Sequence, residues 1–163
     1  MVIRPAADAD HDAILAIFHD VVARGDTYAF DPEISRDEAL GYWFCHGTHP
    51  YVLEENERVR GTYILRPNQA GPGSHVANAA FMVAPASQGS GIGRAMAEHS
   101  LGEARRMGFR AMQFNFVVAT NKPAIHLWQK LGFKIVGTLP GAFEHPEKKF
   151  VDAFVMFLSL DQR

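Results

Sequence analysis

Cys45 is the only cysteine among 163 residues. A lone cysteine excludes an internal disulfide and a cysteine cluster around a metal. It suits a reducing compartment. No apolar run approaches the ~20 residues of a membrane-crossing helix. Residues 1–12 carry charge too early to hold the apolar core of a secretion signal. The expectation is a cytoplasmic protein with no membrane partner. Basic residues form no run or stripe, and 16 of them against 18 acidic ones leave a net charge of −2. That balance argues against a nucleic-acid surface. Internal repeats, low-complexity tracts and linkers are missing too, so residues 1–163 read as one domain of ordinary size.

What remains is an alternation of short strands and helices. Met1–Arg4 reads as a strand ended by Pro5. Asp8 or Asp10 can cap a helix with Ile14, Ile17, Phe18, Val21 and Val22 on its apolar side, stopped at Gly25. Ser35 followed by Glu38 has the spacing of a capping box, which predicts a second helix to about Phe44. Strands are expected at Tyr51–Glu54 and Val59–Leu65, with a hairpin turn at residues 55–57. Then come a strand at Val76–Val83, a helix at Gly91–Met107, a strand at Ala111–Val118 and a helix at Pro123–Leu131. Strands at Ile135–Leu139 and Val151–Leu158 finish the chain, joined by a loop over Gly141–Lys149. The strand–helix–strand unit at residues 76–118 implies a parallel pair with a crossover. The fold class is α/β, a mixed and mostly antiparallel sheet with one parallel pair and helices on both faces.

The segment from Gln88 to Arg94 reads Gln-Gly-Ser-Gly-Ile-Gly-Arg between a strand and a helix. A helix start offers unpaired N–H groups and partial positive charge. Glycines let that backbone approach an anion closely. The combination favours a phosphate or pyrophosphate. A P-loop requires Gly-Lys-Ser/Thr, whereas Gly93 is followed by Arg94-Ala95. A dinucleotide-binding turn requires G-x-G-x-x-G, and here the third glycine comes one residue early. A glycine-rich connection with no ligand also fits these seven residues.

Gln88, Gly91 and Gly93 fill the pattern Gln/Arg-x-x-Gly-x-Gly/Ala, and Asn121, Ala124, Leu127, Gly132 and Phe133 fill Asn-x-x-Ala-x-x-Leu-Tyr-x-x-x-Gly-Phe, with Trp128 at the tyrosine. The chain therefore resembles the GCN5-related N-acetyltransferase (GNAT) family over nearly its whole length. The resemblance implies a splayed parallel strand pair that holds acetyl-CoA as co-substrate. It implies main-chain pairing of the pantetheine arm with Phe81, Met82 and Val83. The pyrophosphate would sit on Gln88, Gly89, Ser90, Gly91, Ile92, Gly93 and Arg94, and Asn121 and Trp128 would border the arm. Asn121 also fits a plain helix N-cap. A homodimer follows from family habit.

Asn78, Phe114-Asn115-Phe116 and Asn121 resemble fungal acetyltransferases for proline analogues such as azetidine-2-carboxylate. There, asparagines matching Asn78 and Asn115 lie at the substrate amine and carboxylate. The stretch from Ala13 to Tyr28 is similar to bacterial acetyltransferases for phosphinothricin-like amino acids. The implied partner is a small-molecule amine. A protein or peptide acetyltransferase and a non-catalytic acyl-CoA-binding module remain alternatives.

Two parts of the implied chemistry are missing from the sequence. Trp128 cannot give up a proton at a useful pH, so the general acid is unassigned; Tyr28 and Tyr63 are stand-ins. No Asp or Glu lies between His75 and Ala84, so the usual base is absent. Glu144 and His145 are candidates from the late loop, and His75 from the strand edge. The Val83 N–H is the expected oxyanion donor. No metal is implied.

Overall fold

The computed structural model describes residues 1–161. Seven strands form one sheet: β1 (Val2–Pro5), β2 (His49–Glu55), β3 (Arg58–Pro67), β4 (Val76–Val83), β5 (Ala111–Val118), β6 (Lys134–His145) and β7 (Lys149–Ser159). Their spatial order is β1-β2-β3-β4-β5-β7-β6. Every neighbouring pair is antiparallel except β4 with β5. Helices α1 (His11–Ala23) and α2 (Arg36–Trp43) cover one face, and α3 (Ile92–Arg106) and α4 (Lys122–Lys130) the other. This is the expected α/β arrangement. No helix among the described residues is long and apolar enough to cross a membrane.

The period-2 alternation of β4 divides the two cores. Ala77 and Ala79 pack with Met96, Leu101 and Trp128 beneath α3 and α4. Ala80 and Met82 face the other way, towards Phe18, Trp43 and Ile64 beneath α1 and α2. Gly61 brings β3 against α3: a Cβ there would stand 2.7 Å from Met96 Cε. Local signals held where they were strong. Ser35 and Glu38 exchange both capping-box bonds. The β2–β3 turn places Asn56 and Glu57 at φ 51° and 59°, the paired positive values of a type I′ hairpin.

The last hairpin differs from expectation. The Gly141–Lys149 loop is mostly strand, because β6 runs on to His145 and β7 begins at Lys149. A register irregularity between Leu139 and Phe143 absorbs the glycine, which takes φ +58°. Gly141 N–H donates to Asp152 Oδ1 at 2.9 Å. Phe143 then re-enters register opposite Val151 and is buried. Burial of that ring sustains the ladder past the expected end of the strand at Leu139.

One ion pair ties the first strand to the helix layer. Arg4 donates to both oxygens of Asp10, at 2.7 and 3.0 Å, and to Glu54 at 2.8 Å. Asp10 also accepts from the Ala7 N–H at 2.8 Å and is buried. The Arg4 hydrogen bonds hold its carboxyl below the usual range, against the opposing effect of burial. A depressed folded-state pKa adds stability that is present above the unfolded value of about 4 and lost as pH falls below it. Arg4→Met should therefore cost about 1–3 kcal/mol at pH 7, the cost of a buried group left unpaired. The difference from wild type should shrink as pH falls from neutral through about 4 and below, where Asp10 protonates. Urea unfolding across that range checks both the size and the direction.

Candidate active site

The parallel pair opens almost as soon as it forms. Only Val76↔Ala111 and Ala77↔Met112 are in register. Beyond them β5 keeps only β7, which it already pairs from Ala111 on its other edge, and β4 keeps only β3. Asn78 stands at the fork, its Nδ2 donating to Gln113 O at 3.0 Å. A cleft of about 1100 Å³ runs from the fork to the start of α3. It is bounded by the α1–α2 connection, β4, β5, α4 and the β6–β7 turn.

At one end lies the glycine turn. Gly89 and Gly91 take φ +78° and +85°, a left-handed conformation that other L residues adopt only at a cost. Gly91 is the N-cap of α3 and supplies no side-chain bond. The first N–H to find a helical carbonyl is that of Ala95, on Gly91 O at 3.0 Å. The amides of Ile92, Gly93 and Arg94 precede it, in the turn whose N–H groups have no intrahelical acceptor. A Cβ on Gly91 would meet nothing within 4 Å, and one on Gly93 would meet only Val83 Cγ2, at 3.8 Å. The space over the turn is open.

The charges here are largely matched. Arg94 pairs with Glu98 at 2.8 Å, and Arg24 with Asp26 at 3.1 Å. Arg24 also donates to Gln88 Oε1 at 3.2 Å. Anion attraction at this end comes mainly from main-chain amides and the helix terminus. Arg24 was not foreseen, because it reaches the turn from the far end of α1. Ser90 Oγ turns back to Ser87 O, and the Ile92 side chain belongs to the core. Neither residue is part of the cleft lining.

In the middle, the free edge of β4 faces the gap. Ala84 N–H bonds back to Arg60 of β3. By alternation the Phe81 and Val83 groups point into the opening. Phe81 is already engaged: its N–H donates to Tyr28 Oη at 2.9 Å, and that hydroxyl donates to Phe81 O at 2.6 Å. Burial pushes the Tyr28 hydroxyl's pKa well above its ordinary value. Trp128 borders the gap from α4 within an aromatic cluster, 4.6 Å from the Phe114 ring and 5.0 Å from Phe81. Asn121 caps α4 through Oδ1, which accepts from Ala124 N–H at 3.4 Å. It also lines the cleft.

At the far end stand Phe30, Tyr42, Arg66, Asn78, Asn115 and Phe116. Asn115 is exposed, and both ends of its amide are engaged. Its Nδ2 donates to Asn68 Oδ1 at 2.7 Å, and its Oδ1 accepts from Gln113 Nε2 at 2.9 Å. His145 reaches the rim from β6, with Nδ1 accepting from Glu147 N–H at 3.1 Å. Glu144 and His75 lie outside the cleft lining. Tyr63 also lies outside the cleft lining, in the core beneath α3 and on the face of the sheet away from Tyr28, its hydroxyl 2.7 Å from His99 Nδ1.

The family model described as Acetyltransferase (GNAT) family matches residues 17–133, which include both the fork and the turn. The chain belongs to the acetyltransferase (GNAT) family. As a GNAT protein it is an acetyl-CoA-dependent N-acetyltransferase with acetyl-CoA as co-substrate. It is similar to the GCN5-related N-acetyltransferase from Kribbella flavida, with a TM-score of 0.93 and 44% identity over 97% of this chain and 96% of that one. It is 32% identical to N-acetyltransferase aca1 of Schizosaccharomyces pombe, over 82% of this chain and 72% of that protein. The yncA acetyltransferase from Salmonella typhimurium, solved with its cofactor acetyl-CoA, aligns with a TM-score of 0.88 at 28% identity, covering 100% of this chain and 95% of that one. The fork leaves a strand edge unpaired beside a helix terminus with free amides, an arrangement that suits an anion.

Proposed function

We propose that this protein transfers the acetyl group of acetyl-CoA to the amine of a small molecule, by direct attack with both reactants bound. The observation that carries the reading is the single cleft that joins the α3 amides, the open β4 edge and a polar pocket beyond the fork. Acetyl-CoA supplies an activated acyl thioester. The chain's residues do the rest. The main chain of Gln88–Arg94 binds the pyrophosphate, and the Val83 edge aligns the arm. Met82, Asn121 and Trp128 border it.

The pocket beyond the fork orients the amine. Asn78 lines the cleft with its Nδ2 committed to Gln113 O, which leaves its Oδ1 as the acceptor for an amine N–H. Among the described residues the carboxylates that line the cleft are Asp26 and Glu147, neither of them on β4 or β5, so the amine arrives neutral or loses its proton to water. The Val83 N–H faces the developing oxyanion. Tyr28, rather than Tyr63, is the donor to the departing sulfur, because Tyr28 lines the cleft while the Tyr63 hydroxyl is taken up with His99 outside it. Holding the two reactants together supplies much of the rate. A thiol of pKa ~8.5 leaves acceptably as thiolate.

The test is thiol release from acetyl-CoA in the presence of a panel of small amines and peptides. Turnover on free amines at rates well above hydrolysis is the expected result. Acetylation confined to peptides would reassign the acceptor. Tight coenzyme A binding without turnover on any amine would make the chain a binding module. In solution the chain is further expected to be a cytoplasmic homodimer, which sedimentation velocity checks.

A further inference from the structure

Arg66 has no role in the chemistry above, yet it occupies the pocket where the acceptor binds. It sits near the end of β3, directly opposite Asn78 of β4. Directly opposed residues share a face of the sheet, with Cβ atoms about 5 Å apart. Both line the cleft. Arg66 is half-buried, and Tyr42 holds its guanidinium. Nη2 donates to Tyr42 Oη at 2.9 Å, and the Tyr42 ring lies beneath Cζ at 4.8 Å. Nη1 has only a long contact to Cys45 Sγ, at 3.9 Å.

Among the described residues no carboxylate pairs with it. The acidic residues of the cleft are Asp26, taken by Arg24 at the other end, and Glu147, on the β6–β7 turn. Neither forms an ion pair with Arg66. A partly desolvated arginine held in place by neutral groups has unused donors in a fork that matches a carboxylate. Asn115, the residue that the resemblance offered for that role, is spent on Asn68 and Gln113.

We propose that Arg66, positioned by Tyr42, is the anion-recognition residue of the acceptor pocket, and that it restricts the acceptor to amines carrying a carboxylate on the neighbouring carbon. The inference rests on the acetyl-transfer reading for its geometry. With the amine at Asn78 Oδ1 and the acid at Arg66, an α-amino or α-imino acid spans two adjacent side chains on one sheet face. Phe30 and Phe116 then border the rest of the molecule, which favours an apolar side chain of modest size. A primary amide in place of the acid loses the charge and one of the two acceptor oxygens.

The experiment compares L-valine, L-methionine and L-proline with their primary amides, in two readouts. One is kcat/KM for acetylation. The other is equilibrium binding to the protein loaded with coenzyme A. Wild type should favour at least one acid over its amide by about 100-fold in kcat/KM and in binding. Arg66→Gln should remove that preference by lowering kcat/KM and binding for the acid far more than for the amide. Arg66→Lys should restore part of it, as a point charge without the fork. Tyr42→Phe should raise KM for the acid several-fold with kcat little changed.

Equal use of acid and amide by wild type would overturn the proposal, and so would equal loss of both in Arg66→Gln. If no compound is acetylated but acids still bind in an Arg66-dependent way, the recognition site stands and the acetyl-transfer reading fails. If acids show no Arg66-dependent binding, the recognition site fails whatever the turnover.

Discussion

Gly91→Val should weaken coenzyme A binding by 100-fold or more, whereas Gly93→Ala should change it only a few-fold. The two glycines lie two residues apart in one turn, and their backbones differ. Gly91 sits at φ +85° as the N-cap of α3. A β-branched residue there costs roughly 1–2 kcal/mol of backbone strain. Relaxing that strain turns the amides of Ile92 to Arg94 away from their common point. Hydrogen bonds to a charged group are worth about 1.5–3 kcal/mol each, and tenfold in affinity is about 1.4 kcal/mol. Losing even two of them exceeds the 100-fold figure. Gly93 has helical geometry, and its Cβ would have ordinary clearance from Val83. Alanine at that position should raise the stability of the free protein by about 0.5–1 kcal/mol. Isothermal calorimetry with coenzyme A, beside thermal melts without it, checks both. Unaltered binding by Gly91→Val would remove the turn from the site and most of the functional argument with it.

The turn was legible in the sequence because its physics is local. Glycines at positions 89, 91 and 93, between a strand and a helix, specify both the left-handed bend and the open approach. The β2–β3 hairpin, the two long helices and the capping box were readable for the same reason. Strand β4 and strand β5 were placed to the residue, because turn residues bound their apolar runs on both sides. The β6–β7 hairpin was not, because Pro140-Gly141 carries a strong break signal. What overrides it is non-local: Phe143 buries its ring and restores register with Val151.

The acceptor pocket was the least readable part. Arg66, Tyr42 and Tyr28 come from β3, α2 and the α1–α2 connection. Nothing in their spacing shows that β4 draws them to one fork. Asn78 was singled out for a substrate role, and the fold adds a second use, as the tie between β4 and Gln113. Tyr28 and Tyr63 were equal candidates for the proton donor. Their strand and loop positions place them on opposite faces of the sheet, which no pattern of apolar residues had distinguished.

Tyr28→Phe should lower kcat by about 10- to 100-fold and leave coenzyme A affinity within about threefold. The lower end is the loss of one hydrogen bond made in the transition state, and the upper end approaches general-acid catalysis. The phenol oxygen is anchored by the Phe81 N–H it accepts, at 2.9 Å. Its own proton points to Phe81 O. Rotation about the C–O bond redirects that proton into the gap without moving the ring, so the donor is in place before reaction and needs little reorganisation. Burial raises the hydroxyl's pKa, which fixes the sign of the pH dependence. The group stays protonated through the neutral and mildly alkaline range, so the Tyr28→Phe deficit should be constant from about pH 6 to 9. An alkaline fall in wild-type activity in that range would belong to another group. If the variant instead bound coenzyme A much more tightly with kcat unchanged, the hydroxyl would be a plug on the Phe81 edge that the cofactor must displace, and its role as a donor would be withdrawn.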